Sequence, residues 1–361
     1  MKQPALGITA SLVVMVVSLG FVALFAAPTF MGWVSYLTIC FIPIEVIAGV
    51  IWGCKQPAFA AARPQPAKGV MLVLVCLVVG AIVAAVHFVT VAGSIGPPPP
   101  MAMMCIITSV IMTFWLALMF GGWPFVQLIK NPVAAGLTLL AACYVVNFLQ
   151  FRILFDYGFM RGAPVYVASL DPHGLFNAWR VLVFEMSALS VLFLMLHFDL
   201  WPFTKSPALM KQPVLGLVWT ALALVLGGLA YYLFVNLGGM DVVAFLVEAP
   251  IPFIFGTIIV LNMLQGSLFR KLEQPMRGVV SAVVATALGV ALARIYGALA
   301  PAISGPVNPG PPSYDFEIWL ASALLAVTFP FLIFFADFFE MWPLKRAAAL
   351  AVGERAASRR A

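Results

Sequence analysis

Charge is what this sequence has least of: Asp, Glu, Lys and Arg are 9% of its 361 residues, where soluble domains carry about a quarter. A water-soluble enzyme is excluded on that ground. Histidine is rarer still, with three residues. Only His87 and His197 fall within apolar runs, at opposite depths, so the paired axial histidines of a cytochrome b subunit are missing. The five cysteines stand singly, without a CxxC pair or metal-ligand spacing, which argues against a disulfide framework or an iron–sulfur centre and makes them small buried hydrophobes. HExxH, GxSxG, a P-loop and a Gly-rich dinucleotide turn are also absent. ATP hydrolysis is therefore not expected, and neither is a cofactor.

What the chain has in excess is apolar side chains, at 64% with a mean hydropathy of +1.09. At about 20 residues per crossing, that suffices for roughly ten membrane helices joined by short loops. The expected fold is an all-α integral membrane protein. Its aromatic residues, 30 of them Phe, and its 17 Met read as lipid-facing and packing residues.

A repeat organises these helices. MKQPALG at Met1 to Gly7 returns as MKQPVLG at Met210 to Gly216, with looser copies at Gln65, Lys130 and Glu273. The prolines Pro4, Pro66, Pro132, Pro213 and Pro275 are spaced by 62, 66, 81 and 62 residues. Each is followed three or four residues later by Gly and then by a long apolar run. Trp-Pro pairs at Trp123, Trp201 and Trp342 precede the proline or end the chain's apolar part; a lone Trp52 takes that place in the first unit, and Leu268-Phe269 in the fourth. Proline suits the first turn of a helix, having no N–H to lose there, and tryptophan suits the headgroup level. The reading is five same-orientation two-helix units, about 1–65, 66–131, 132–212, 213–274 and 275–344, forming one polytopic domain over 1–344 with a basic tail over 345–361. Expected spans are 7–27, 33–53, 69–92, 102–122, 133–155, 180–200, 214–236, 246–268, 278–300 and 317–341.

Fifteen of the 19 basic residues lie in the termini and Trp-Pro turns; Arg152, Arg161, Arg180 and Arg294 lie toward the other end. By the positive-inside rule both termini are cytoplasmic, in a cell inner (plasma) membrane, and the net charge of +6 needs no nucleic acid to explain it. Lys2 and the run after it could imitate a signal peptide, but Ile8 to Ala27 exceeds the usual apolar region and its leader matches that of the seventh helix, so the first helix is expected to be retained. The opposite loops are proline-rich at Gly93 to Pro100 and Ala300 to Ser313, and the longest runs from Asp156 to Arg180.

Ionisable groups within the spans are the best functional clues, since each is costly there unless it faces protein or water. An outer layer holds Arg152, Arg294 and His87 at one repeat-equivalent level, with Asn147 and Gln150 deeper and Glu185 and Glu248 entering from partner helices. These residues suit a pocket for an anionic group, against the alternative that the arginines snorkel to headgroups. An inner layer holds Glu45, Asn262, Asp337 and His197. Glu45 follows Pro43, which permits a local break, and together with Asp337 and Glu248 it is a candidate proton carrier; a structural ion pair is its alternative. Asp199 and Glu340 read as solvated interfacial carboxylates. In DPHG, Asp171 and His173 are weak metal candidates for which Asp156, Asp241, Asp315 and Glu317 could supply further ligands, and a turn is favoured over a site.

The function expected from these features is a secondary transporter for a small anionic or zwitterionic solute, possible proton coupling included. The alternative is an integral subunit or scaffold of a larger quinone- or lipid-handling complex, docking through Tyr166, Phe176 and Trp179. A third reading, a membrane-embedded enzyme using DPHG, predicts a tightly bound metal. Expected partners are the bilayer, the solute, and a membrane protein or a second copy. Cysteines placed at Trp123, Trp201 and Trp342 should react with a membrane-impermeant thiol reagent from one side only; two such corners labelled from opposite sides would overturn the shared orientation.

Overall fold

A computed structural model describes residues 1–54 and 57–345; the basic tail, apart from Lys345, lies outside them. Among the described residues, ten helices are long and apolar enough to cross a membrane: α1 (Ala5–Val22), α2 (Ala27–Cys54), α3 (Ala67–Thr90), α4 (Pro100–Met119), α5 (Pro132–Leu154), α6 (Ala178–His197), α7 (Val214–Leu237), α8 (Val242–Met263), α9 (Met276–Ser304) and α10 (Asp315–Phe338). The chain is an all-α multi-pass membrane protein, with one two-residue parallel pair of strands, β1 (Phe155–Asp156) and β2 (Phe176–Asn177). Most starts and ends fall within a few residues of the expected spans. The largest shift is at α2, which begins at Ala27 because Pro28 occupies its first turn, where its fixed φ favours an earlier start.

The helices form two concentric layers. In their most apolar stretches the even-numbered helices are 61% to 72% buried, the odd-numbered ones 28% to 44%. The even helices close a ring in chain order, α2 against α4, α4 against α6, α6 against α8, α8 against α10 and α10 against α2. Each odd helix lies in an outer groove: α1 between α8 and α10, α3 between α10 and α2, α5 between α2 and α4, α7 between α4 and α6, α9 between α6 and α8. Aromatic side chains meet across the ring. Phe114 of α4 meets Phe193 of the adjacent α6 at 5.2 Å and reaches Phe329 of α10 at 6.0 Å between ring centroids.

One device fastens four outer helices to the ring. A helix C-terminus leaves carbonyls without intrahelical donors, and water cannot fill that need where the end is buried. Gln3, Gln65, Gln212 and Gln274 donate their side-chain amides to Met263 O, Phe338 O, Met119 O and His197 O, the last helical residues of α8, α10, α4 and α6. The same side chains accept the N–H of Gly7, Gly69, Gly216 and Gly278 in their own first turns. Each of those glycines lies under the next residue of the ring helix, Leu264, Phe339, Phe120 or Phe198, where any Cβ would collide. On α5 the glutamine is replaced by Asn131, which caps its own helix through Val133 N and Ala134 N, and the link is reversed: Trp52 of α2 covers Gly136 and donates its indole N–H to Pro132 O at 2.9 Å. Trp52 thus matches Phe120 in register rather than Trp123.

Two carboxylates expected to be solvated are ion-paired at these corners: Glu340 with Lys68 at 2.7 Å, and Asp199 with Arg277. Both carboxylates are more than half open to solvent although Lys68 is buried; solvent-facing pairs contribute about 0–1 kcal/mol, and interhelical hydrogen bonds in membranes average about 0.6 kcal/mol. Close backbone packing outweighs both. Where α8 crosses α9, a Cβ on Gly256 would strike the Ala285 carbonyl, and one on Gly289 the Pro252 carbonyl. Gly256→Ala should therefore cost more than about 3 kcal/mol, beyond the usual range for overpacking, and Gln274→Ala about 1 kcal/mol. Gly20→Ala, with nothing within 4 Å of the added carbon, should leave thermal unfolding in detergent unchanged. The same midpoint for all three variants would refute this ranking.

Candidate functional site

Apart from DPHG, the candidate residues gather at three places, which can be located by the proline end of the bundle, where the glutamines sit, and the opposite loop end.

At the loop end a cavity of about 340 Å³ lies between α8, α9 and α10, lined by Glu248, Pro252, Arg294, Phe316, Glu317 and apolar neighbours. The volume is within the range of small-molecule pockets. Its α8 wall is broken, with Ala249 at φ −125° and ψ −71°. Pro250 and Pro252 have no N–H, so the carbonyls of Leu246 and Glu248 lose their helical donors. Arg294 and Glu248 are exposed to this space and, among the described residues, neither forms an ion pair. Glu317 is buried, both its oxygens accepting the Gly310 N–H at 3.1 and 3.2 Å. Nearby, Asp241 caps α8 through Val243 N and Ala244 N and also accepts the Tyr314 hydroxyl at 2.9 Å. Burial, and then that carboxylate, push the Tyr314 phenol up to about 12.

A second group lies across α2 to α6. His87 Nδ1 is 3.0 Å from the Tyr36 hydroxyl, which also donates to Ala84 O. One hydroxyl proton given to that carbonyl makes Nδ1 the donor and leaves Nε2 an acceptor, with no partner. Asn147 donates to Cys105 O at 2.8 Å but its Oδ1 is unpartnered. The Tyr157 hydroxyl is likewise buried without a partner, whereas Glu185 has the Gln150 amide beside it and Tyr144 has Ser109. Arg152 is exposed on α5, whose ring neighbours are α2 and α4, so it does not meet Arg294 on α9, which packs between α6 and α8.

Toward the proline end, Glu45 is fully buried with neither oxygen hydrogen-bonded. Gly49, one turn later on α2, sits against Asp337: a Cβ there would lie 3.5 Å from Oδ2. That oxygen accepts from Asn262 of α8 at 3.4 Å. A small cavity of about 40 Å³, lined by Gly49, Trp52, Lys68, Leu72 and Asp337, is large enough for water. His197, by contrast, is a satisfied packing residue, its two ring nitrogens meeting Ser281 at 2.7 Å and Thr257 at 2.9 Å.

In DPHG the structure forms a turn, Asp171 Oδ1 accepting the His173 N–H at 2.9 Å. It also brings Asp156 to Asp171 and His173, whereas Asp241 and Asp315 serve the starts of α8 and α10. Sequence reasoning gave no role to Gln3, Gln65, Gln212 and Gln274, although a glutamine before proline in four copies was the visible signal. It also missed the Asn262–Asp337 contact, which joins residues at the same height on neighbouring ring helices.

Glu45 stabilises nothing by hydrogen bonding, and an unsatisfied buried polar group costs about 1–3 kcal/mol. Glu45→Met should therefore raise thermal stability by about 1–2 kcal/mol; a fall of that size would mean the carboxyl has a structural partner. No family model, curated protein or solved structure matches the chain, so the geometry of these three places is the whole basis for reading its function.

Proposed function

We propose that the chain is a secondary transporter for a small zwitterionic or anionic solute, moved without covalent chemistry and coupled to protons. The observation supporting this reading is the loop-end cavity, where Arg294 and Glu248, neither ion-paired among the described residues, line a space of small-solute size beside Glu317, whose carboxylate is taken up by the Gly310 N–H. Arg294 suits a carboxylate, which it binds with two parallel hydrogen bonds. Glu248 suits an ammonium at the other end of the solute. The unpartnered carboxyl of Glu45, one turn from Asp337 and the water-sized cavity, suits a proton carrier entering from the proline end. The five two-helix units are read as same-facing repeats, and the positive-inside rule sets their proline ends and both termini in the cytoplasm. In this reading the bilayer and the solute are the partners, and the break in α8 at Pro250 lets the cavity wall move against α9 and α10.

A second reading, a membrane subunit whose activity lies in a partner, draws support from the α5–α6 loop, where Val165, Leu175 and Phe176 are exposed. Co-purification with a catalytic partner, and no solute movement by the isolated chain, would favour it.

In proteoliposomes screened with amino acids and small carboxylates, a pH gradient should drive uptake. Arg294→Gln should raise the apparent transport constant by more than about tenfold, the loss of roughly one charged hydrogen-bonding contact. Arg152→Gln should leave it unchanged, and Glu45→Gln should abolish the response to the pH gradient. Equal effects of the two arginine substitutions would support headgroup snorkelling instead.

A further inference from the structure

The α5–α6 loop holds a set of side chains that transport does not use. Asp156, Asp171 and His173 each offer one ligand atom, and all three atoms lie within 4.8 Å of one another. Among the described residues this is the one such group of three. We propose that these residues bind a single divalent transition-metal ion of the zinc class at the loop end of the bundle.

The spacing supports this. Two ligands about 2.1 Å from Zn²⁺ at the tetrahedral angle are about 3.4 Å apart, and His173 Nδ1 lies 3.3 Å from Asp171 Oδ2. Asp156, whose ligand oxygen lies within 4.8 Å of the other two and whose Oδ2 accepts the Gly158 N–H at 3.2 Å, would close in to make the third protein ligand, with water as the fourth. An imidazole beside two carboxylates suits zinc-class ions over Ca²⁺ or Mg²⁺, which favour all-oxygen shells.

The surroundings are those of a prepared site rather than three side chains close by chance. Asp171 has no exposed side-chain surface. Its Oδ1 accepts from Tyr157 N at 3.2 Å and His173 N at 2.9 Å, and its Oδ2 from the Tyr166 hydroxyl at 2.9 Å. Such donors fix a ligating carboxylate while leaving lone pairs for the metal. The backbone fixes the other two. Asp156 is held in register with Asn177 by the strand pair, and Gly174 N donates to Phe155 O at 2.7 Å. A Cβ on Gly174 would strike the backbone of Leu154 and Phe155, so only glycine lets the DPHG turn lie this close to β1. His173, with 56% of its side chain exposed, is open to an arriving ion.

The test is direct because competing ligands are few. His87 and His197 are buried, as are four cysteines, and Cys54 is exposed at the other end of the bundle. Tag-free, full-length protein carrying Cys54→Ser should bind one Zn²⁺ per chain in competition with a fluorescent chelator, and Co²⁺ should give a visible ligand-field spectrum. His173→Ala and Asp156→Asn should each weaken Zn²⁺ by more than about tenfold, at least the loss seen on removing an outer-shell partner, and His173→Ala should abolish the Co²⁺ spectrum. Both variants should keep the parent's metal-free unfolding midpoint, which separates loss of the site from loss of the fold. Zn²⁺ bound equally by parent and variants, or never saturating at one per chain, would overturn the proposal and leave the Asp171–His173 contact an ion pair only.

Discussion

The constraint on which the bundle depends is the buried helix end. An α-helix finishes with carbonyls that lack intrahelical donors, and in a low-dielectric surrounding each needs a partner from the protein. Here a single glutamine side chain supplies it. Its amide N–H₂ meets the last carbonyl of a ring helix, and its oxygen meets a first-turn N–H of the neighbouring outer helix, so one residue satisfies a group on each of two helices. The geometry admits no side chain on the glycine four residues later, because the ring helix's next residue fills that space. Glutamine, proline and glycine at fixed spacing are thus one mechanical part.

That part dictates connectivity. The glutamine before each of four outer helices reaches the end of a ring helix from a different hairpin: Gln3, before α1, reaches α8, and Gln65, before α3, reaches α10. Followed around, α1 is fastened to α8, α9 to α6, α7 to α4, α5 to α2 and α3 to α10. With sequential helices also joined by loops, every hairpin is held at both of its helices, and a closed ring of five helices with five outside it needs no large polar interface. Individually the hydrogen bonds are weak, about 0.6 kcal/mol in membrane proteins; their effect is on register more than on total stability.

Much of this was legible in the chain. Length and hydropathy sufficed for ten helices, because in a bilayer apolar length is nearly equivalent to a crossing. The repeated Gln-Pro and Trp-Pro elements marked where they start and stop. What escaped was azimuth. Counting residues from a proline gives the height of a side chain but not which neighbour it faces, so Arg152 and Arg294 share a level yet stand on outer helices in different grooves. Long-range contacts such as Gln3 with Met263 depend on the order in which helices close the ring, which local patterns do not encode. Trp52 was misaligned for a related reason: it resembles the Trp-Pro corners in type but occupies the glycine-covering position three residues earlier.

The ring also separates residues the fold requires from residues it merely tolerates. Aligned on the glycine-covering residue, the five ring helices carry Glu45, Thr113, Val191, Thr257 and Leu332 at one height, and Val50, Leu118, Leu196, Asn262 and Asp337 at another. Valine and leucine fill those positions in the same packed ring, so carboxyls there are not demanded by packing. Glu45 moreover has no hydrogen bond to offset its burial, a cost that stability alone does not explain. The two carboxyls lie on adjacent helices, α2 and α10; Asp337 lines the small cavity at Lys68, and Gly49, one turn after Glu45, lines it from α2. The broken wall with Arg294 and Glu248 lies between α8, α9 and α10. Both departures from the common pattern involve α10, the ring helix shared by the two cavities, and a shift of that one helix would be felt at both ends of the bundle.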